Sequence, residues 1–144
     1  MSRGLRNCNP GNIRCSATRY LGEVRPSRDA SFKQFATMAY GYRAMFVLLD
    51  TYARRYGLHS IRTMIERYAP PSENDTRRYS ETVSRLSGIE ADRHLDTRSH
   101  DEMVAVVAAM SRVENGVAAV VEQVEQGWQL YAADRDAGKQ RQQR

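Results

Sequence analysis

The sequence predicts a mainly α-helical (α+β) domain with a small hairpin or extended piece near its N-terminus. Apolar residues recur at helical spacing in five stretches after residue 37, and capping residues or prolines bound most of these stretches. Before residue 37, turn signals replace the helical periodicity. The 144 residues are 41% hydrophobic, which is enough for one core. We expect one domain over residues 1–133 and a basic, disordered tail over residues 134–144.

The strongest turn signal lies near the N-terminus, in Asn9-Pro10-Gly11-Asn12. Pro10 favours a φ of about −65° and Gly11 accepts a positive φ, so together they predict a type II turn. We expect Ile13, which follows the turn, to point into the core. Asn9 and Asn12 either bond the backbone of the turn itself or bind a polar ligand such as a sugar.

The segment between residues 20 and 35 has weak strand character and is predicted to be irregular, with short extended pieces. Phe32 and Phe35 should anchor it to the core. A long helix then begins at about Thr37, and Gly57 stands where a C-terminal cap belongs. Its predicted buried stripe consists of Met45, Leu48, Leu49, Tyr52 and Tyr56.

Two shorter helices follow. Ser60 can cap the first, and Pro70-Pro71 ends it because proline lacks an amide hydrogen and clashes with the preceding turn. Asp75 or Thr76 can cap the second, which Gly88 closes. Their apolar stripes are Ile61, Met64, Ile65 and Tyr68 in the first helix, and Tyr79, Val83 and Leu86 in the second.

The fourth helix places a carboxylate on its own apolar face. Ser99 and Glu102 form a capping-box pattern that opens it, and Asn115-Gly116 ends it. A carboxylate at the end of an apolar stripe is costly to ionise, which suits a general acid. The alternative is that the last turn frays and Glu114 points at water. The stripe that leads to Glu114 consists of Met103, Val106, Val107 and Met110.

A fifth helix closes the domain, and a basic sequence, GKQRQQR, follows it. This tail has no apolar residue, so it is predicted to be disordered and either binds nucleic acid or keeps the end of the chain soluble. The predicted buried face of the helix consists of Val117, Val120, Val121, Val124, Trp128 and Tyr131.

The net charge of +5 favours a polyanionic partner, such as nucleic acid, an anionic cell wall or an acidic lipid surface. No apolar run reaches the length of a membrane span. The N-terminus lacks the apolar region of a secretory signal, so we expect synthesis in the cytoplasm without a signal peptide. Action in the periplasm would then need a separate carrier.

Cysteine and histidine do not form a metal-site pattern. Cys8 and Cys15 flank the predicted turn, where they either form a cross-turn disulfide in an oxidising compartment or remain free thiols. The histidines are scattered and have no cysteines at zinc-ligand spacing. We therefore expect neither a metal nor a cofactor.

The remaining candidates for chemistry are carboxylates with aromatic and amide neighbours. No glycine-rich phosphate loop and no triad motif for a nucleophile occurs. Glycoside hydrolysis needs an acid beside polar and aromatic groups that hold a sugar, and a second carboxylate in many families. Glu114 is the candidate acid. Glu73 and Asp75 are the candidates for the second carboxylate, although Asp75 also suits a helix cap.

Several motifs resemble a family of small phage and prophage proteins, whose members are often described as structural. These motifs are RNCNPGNIR, FKQF, GYRAM, YGLHSIRTMIERYAPPSENDTRRY and ENG. The resemblance covers nearly all of the chain up to about Tyr131. It implies a virion protein that contacts other virion proteins.

The order of these motifs also resembles the later part of bacterial N-acetylglucosaminidases of the flagellar and autolysin type. Those enzymes carry their catalytic glutamate on a helix before the turn that NPGNI resembles, whereas here Glu114-Asn115-Gly116 stands at the other end of the chain. The resemblance implies a lysozyme-like fold with a circular permutation. Tyr20 stands near a position where tryptophan is usual, and Cys8 interrupts the run of asparagines.

This resemblance implies a peptidoglycan-cleaving glycosidase of the muramidase, glucosaminidase or lytic transglycosylase type. Glu114 would be its general acid, and Glu73 would be the second carboxylate if one is needed. The implied glycan contacts are Asn9, Asn12, Ile13, Tyr20, Tyr68 and Asn115. The protein would act on peptidoglycan strands in the periplasm or cell wall, or as part of a virion.

Two other functions remain open at this point. One is a non-enzymatic virion or glycan-binding protein with the same fold, favoured by the lack of an obvious second carboxylate. The other is a nucleic-acid-binding accessory protein, suggested by the arginines. The chain shows neither helix-turn-helix spacing nor a basic aromatic platform in support of the latter.

Overall fold

A computed structural model describes residues 1–142. This part of the chain contains six helices and one two-stranded antiparallel sheet. Side chains are described as far as residue 135. The predicted class, mainly helical with a small N-terminal hairpin, is confirmed. In chain order the elements are α1 (Arg3–Arg6), β1 (Glu23–Val24), β2 (Gln34–Phe35), α2 (Met38–Tyr56), α3 (Ile61–Tyr68), α4 (Thr76–Ser87), α5 (His100–Asn115) and α6 (Val121–Gln142).

The N-terminal region contains a short helix that the sequence pattern did not predict. Ser2 caps α1, and its hydroxyl accepts a hydrogen bond from the amide of Leu5. The hairpin lies further along, where Glu23 of β1 pairs with Phe35 of β2. An isolated bridge between Arg14 and Phe32 connects the chain after the turn to the approach of β2. The irregular segment is thus fixed by a few extended pairings.

The turn at Asn9-Pro10-Gly11-Asn12 forms, but it is not the predicted type II turn. The amide of Asn12 donates to the carbonyl of Asn9 at 3.0 Å, and the left-handed conformation falls on Asn12, with φ 49°, instead of on Gly11. Gly11 is required for a different reason. A Cβ atom there would overlap the hydroxyl of Tyr68 and the side chain of Met45.

The long helices begin and end close to where their caps predict. Gly57 follows α2 with φ 65° and Gly116 follows α5 with φ 74°, left-handed values that glycine adopts without strain. Ser60 and Thr63 form a reciprocal capping box at α3. Asp75, and not Thr76, caps α4.

Only half of the predicted capping box at α5 forms. The hydroxyl of Ser99 accepts from the amide of Glu102 at 3.4 Å. The carboxylate of Glu102 pairs instead with Arg93 in the preceding loop. An arginine within reach competes with the backbone amide for that carboxylate.

The core forms where α2 packs against α6 and where α4 packs against α5. Phe46 of α2 meets Trp128 edge to face, with ring centroids 5.2 Å apart, and stacks on Tyr131 at 5.8 Å. The prediction of the buried face of the last helix is wrong for its first residues. Val117 and Val120 precede α6 in an exposed loop and Val121 is 71% exposed, because α6 begins only at Val121.

The end of the chain is described only in part. Helix α6 continues to Gln142, so the backbone of residues 134–142 is helical. The remainder of the predicted tail lies outside the described residues. None of the helices within residues 1–142 combines the length and apolar character that a membrane span requires.

Candidate active-site groove

An open groove of about 500 Å³ lies between the N-terminal turn, α2, the end of α3 and the last turn of α5. It contains most of the predicted site residues. Those that line it are Asn12, Ile13, Tyr20, Tyr68, Glu73 and Glu114, together with Gly11, Arg14, Ser16, Thr18, Phe32, Leu48, Tyr52, Arg67, Ala69, Pro70 and Asn74.

Glu114 is half-buried and both of its carboxylate oxygens are held by hydrogen bonds. The side-chain amide of Asn12 donates to Oε1 at 2.9 Å. The hydroxyl of Tyr79 donates to Oε2 at 2.8 Å. The last turn of α5 therefore does not fray, and the carboxylate has a fixed orientation in the groove. A carboxylate has about four lone-pair positions, so it can still meet a further polar group.

Tyr79 is the site residue that the sequence did not single out. It lies on the apolar stripe of α4 and was predicted only as a core residue, and at 7% exposure its ring is indeed buried. Burial raises the pKa of its hydroxyl well above the usual value, and the negative charge of Glu114 raises it further. The hydroxyl therefore stays protonated and remains a donor to Glu114. No spacing in the sequence distinguishes this tyrosine from other core tyrosines.

Asn12 is suited to its position by its backbone as well as its amide. Its φ of 49° is left-handed, and asparagine tolerates that region better than most residues. This conformation brings the side-chain amide to Glu114. Among the described residues, its Oδ1 is buried without a hydrogen-bond partner.

Asn9 holds the turn together and does not face the groove, contrary to the expectation that it contacts glycan. It is fully buried. Its amide nitrogen donates to the carbonyls of Ile13 at 3.0 Å and Lys33 at 2.9 Å, and its Oδ1 accepts from the amide of Ile13 at 2.9 Å. The polar atoms of this side chain are therefore occupied by backbone groups.

Asn115 also has a structural position outside the groove lining, so its predicted role as a glycan contact needs correction. Its amide nitrogen donates to the carbonyl of Pro10 at 2.8 Å and to that of Ser111 at 2.9 Å. Its Oδ1 accepts from the hydroxyl of Ser2 at 2.6 Å. Asn115 thereby fixes the end of α5 to the N-terminal turn, which places the adjacent Glu114.

Tyr68 closes the side of the groove formed by α3. Its hydroxyl donates to the carbonyl of Gly11. Desolvation raises the pKa of this hydroxyl well above its usual value, and the charge of Glu114 adds to the effect. Tyr68 thus supports the turn and presents its ring to the groove.

Tyr20 and Ile13 provide apolar surface in the groove. Tyr20 is half-buried, its ring centroid is 6.5 Å from that of Phe35, and the ammonium of Lys33 lies 5.5 Å from its centroid. Ile13 is 7% exposed. Sugars bind well to such surfaces, since their C–H faces pack on aromatic rings while their hydroxyls meet polar groups.

Glu73 lines the groove, but it is paired with a cation. Its Oε2 lies 3.0 Å from Nη2 of Arg14, and its side chain is 51% exposed. Asp75, the other candidate, accepts from the amide of Arg78 as the cap of α4. The groove therefore contains one constrained carboxylate, Glu114, and one exposed, ion-paired carboxylate, Glu73.

The described residues contain no cluster of three or more histidine, cysteine or acidic side chains that could hold a metal ion. Cys8 and Cys15 are free thiols. His59 and His94 stack with centroids 4.5 Å apart, away from the groove lining.

No protein-family model matches the chain. A relative does match: over 118 residues the chain is 40% identical to Protein P5 of Pseudoalteromonas phage PM2. The match spans 80% of this chain and 72% of that protein. It supports the resemblance to phage proteins, whereas it carries no information about a lysozyme-like activity. The chain belongs to the family of phage proteins that includes Protein P5 of phage PM2.

Proposed function

We propose that the chain is a peptidoglycan-cleaving glycosidase and that Glu114 is its general acid. The observation that carries this proposal is the placement of Glu114 in a groove with both carboxylate oxygens hydrogen-bonded, by Asn12 and Tyr79. A catalytic acid must be held in one orientation against the bridging oxygen of the substrate.

The chemistry follows from this arrangement. Glu114 donates its proton to the glycosidic oxygen, the bond between that oxygen and the anomeric carbon breaks, and the sugar develops oxocarbenium character. The proton transfer leaves a negative charge on Glu114. Asn12 and Tyr79 already donate to this carboxylate, so the charge is stabilised without rearrangement of the site.

The second half of the reaction has two routes. Glu73 could activate water or stabilise the sugar cation, but it would first have to separate from Arg14, 3.0 Å away. The alternative is capture of the sugar cation by the substrate's own N-acetyl group or by a sugar hydroxyl, which needs no second carboxylate. The exposure and ion pairing of Glu73 favour the second route.

The proposed fold is a lysozyme-like domain with a circular permutation. Glu114 ends α5 late in the chain, yet it contacts the turn near the N-terminus that the glucosaminidase resemblance places beside the catalytic helix. Asn115 reinforces this junction through Pro10. The contact supports the proposal because a circular permutation changes the order of the segments in the sequence but keeps their contacts in space. The glutamate helix would therefore still lie beside the turn.

The proposed substrate is the glycan strand of the bacterial wall. The net charge of +5 favours approach to an anionic wall. A phage relative is consistent with action in the periplasm or cell wall, or from within a virion that contacts other virion proteins.

The proposal is tested by release of soluble fragments from purified peptidoglycan. The native protein is expected to release fragments, whereas a folded Glu114→Gln variant is expected to release almost none. Glu122→Gln is the matched control, because Glu122 is exposed at the start of α6 and outside the groove. Mass spectrometry of the fragments identifies the bond cut and separates hydrolysis from transglycosylation. Equal release by native protein and Glu114→Gln would refute the assignment of the acid.

A second candidate is a virion or glycan-binding protein without turnover. The pairing of Glu73 with Arg14 favours it, because a groove with one available carboxylate can bind a sugar without cleaving it. In that case neither the native protein nor any variant would release fragments, and peptidoglycan would still retain the protein in a sedimentation assay.

A further inference from the structure

A second pocket, of about 270 Å³, lies between α2, α6 and the loop before α5. It shares no lining residue with the groove. We call it the arginine pocket, because four of its lining residues are arginines. Its charged residues are Arg43, Arg54, Arg98, Arg135, Asp50 and Asp134.

The two carboxylates of the arginine pocket are already engaged. Asp134 lies 2.7 Å from Nη2 of Arg43. Oδ2 of Asp50 lies 2.7 Å from Nε of Arg54, and its Oδ1 accepts from the hydroxyl of Thr97 at 2.8 Å. These contacts compensate the charge of Arg43 and of Arg54. The two carboxylates already accept from these donors.

Arg98 and Arg135 carry the remaining positive charge. Among the side chains described, neither has a carboxylate within salt-bridge distance. The guanidinium of Arg135 lies 5.2 Å from the ring centroid of Tyr131 and 5.9 Å from that of Trp128. Within the described part of the chain, its Nη1 is buried and forms no hydrogen bond. A buried N–H of a cation without an acceptor is unfavourable. The excess of two arginines over the two aspartates in the pocket lining would stabilise an anion there.

We propose that the arginine pocket binds a phosphate group. Two arginines without a carboxylate partner among the described side chains match a phosphate monoester, which carries about −1.5 to −2 charge at neutral pH. Guanidinium groups donate in pairs to phosphate oxygens, and both Arg98 and Arg135 line the pocket. The small volume suits one phosphate with a short substituent. This proposal does not depend on the glycosidase proposal.

Calorimetric titration with inorganic phosphate at constant ionic strength tests the site. The native protein is expected to bind with a Kd of roughly 1 mM. Arg98→Gln and Arg135→Gln are expected to weaken binding about tenfold or more. Arg85→Gln is the matched control: it removes the same charge from an exposed position on α4, outside the described cavities. Its affinity should equal that of the native protein.

Further variants and ligands show which groups bind the phosphate and which class of phosphate is bound. Arg135→Lys keeps the charge but loses the paired donors, so its binding should also weaken. If Arg135→Gln does not fold, Arg98→Gln decides the result, because Arg98 is an exposed loop residue. Glycerol phosphate and vesicles of phosphatidic acid distinguish a soluble phosphate from a lipid headgroup. Absence of saturable binding, or equal weakening of binding in Arg85→Gln, would overturn the proposal. Because the two sites share no lining residue, fragment release from peptidoglycan should stay at the native level in all four variants.

Discussion

Asn12 and Glu114 are 102 positions apart in the chain, and the side-chain amide of Asn12 donates to Oε1 of Glu114 at 2.9 Å. One residue further on, Asn115 donates to the carbonyl of Pro10. Two adjacent residues at the end of α5 thus contact the N-terminal turn through side chains. Because this contact is long-range, the orientation of Glu114 depends on the folded domain and not on its own helix.

Under the proposed glycosidase function, replacement of Asn12 should lower catalysis without preventing folding. Glycine adopts the left-handed φ of 49° without strain, so Asn12→Gly keeps the backbone conformation. The variant removes the side-chain amide that donates to Glu114. We expect kcat for fragment release to fall roughly tenfold or more while KM changes little, since the lost contact orients the acid. Asn12→Asp, of equal size, should be worse because it places a like charge beside Glu114. Native kcat in both variants would show that the contact is dispensable.

Removal of the Tyr79 hydroxyl should have a similar kinetic signature. Tyr79→Phe keeps the buried ring but removes the donor to Oε2 of Glu114. We expect a loss of roughly 10- to 100-fold in kcat at unchanged KM, because in the proposed reaction this donor stabilises the carboxylate that proton transfer leaves on Glu114. Tyr42→Phe is the control: it removes another buried hydroxyl, which is bonded to Ser111 outside the groove. Equal losses in the two variants would indicate a general effect on the fold.

Local signals explain why most helix boundaries were predictable. A cap requires only one side chain and a few following amides, so Ser60, Asp75 and the glycines that follow α2, α4 and α5 can be recognised in sequence. The position of Glu114 at the end of an apolar stripe can be recognised in the same way, because it depends only on residues of its own helix. The structure places its side chain in the groove beside the N-terminal turn, where the resemblance implies that it lies.

The partners of these residues were not predictable, because they depend on tertiary contacts. Tyr79 looks like any other core tyrosine until α4 packs on α5. Asn9 and Asn12 are alike in sequence, yet one is buried in backbone contacts and the other reaches Glu114. Gly11 matches a turn signal, but its lack of a side chain is needed for the packing of Tyr68.

Asn9 should contribute strongly to stability and not to chemistry. Asn9→Ala removes the acceptor for the amide of Ile13 and the donor for two carbonyls, and leaves these backbone groups buried without partners. We expect the free energy of unfolding to fall by about 2–4 kcal/mol. Urea denaturation measures the change. Asn74→Ala, at an exposed amide, should cost less than about 0.5 kcal/mol, and a similar cost at both positions would contradict this interpretation.

The packing of Gly11 against Tyr68 can be tested by a double-mutant cycle. Gly11→Ala should destabilise the domain by about 1–3 kcal/mol, because the added methyl overlaps the hydroxyl of Tyr68 and the side chain of Met45. Tyr68→Phe removes that hydroxyl and its hydrogen bond to the carbonyl of Gly11. The double variant should therefore lose less stability than the sum of the single variants. Additive losses in urea denaturation would show that the overlap is relieved elsewhere.

His100 should make stability depend on pH above neutrality. It starts α5 and lies 2.7 Å from Asp101 and 2.6 Å from Glu125 of α6. The hydrogen bond to Asp101 is the largest influence that raises the pKa of His100, and Glu125 raises it further. A raised pKa in the folded state means that this contribution is complete below the ordinary value of about 6.5 and is lost as the pH rises through the folded value. Unfolding free energies measured between about pH 5 and pH 9 should therefore decline more steeply for the native protein than for His100→Gln. Parallel curves for the two proteins would show that the imidazole does not link α5 to α6 in a charge-dependent way.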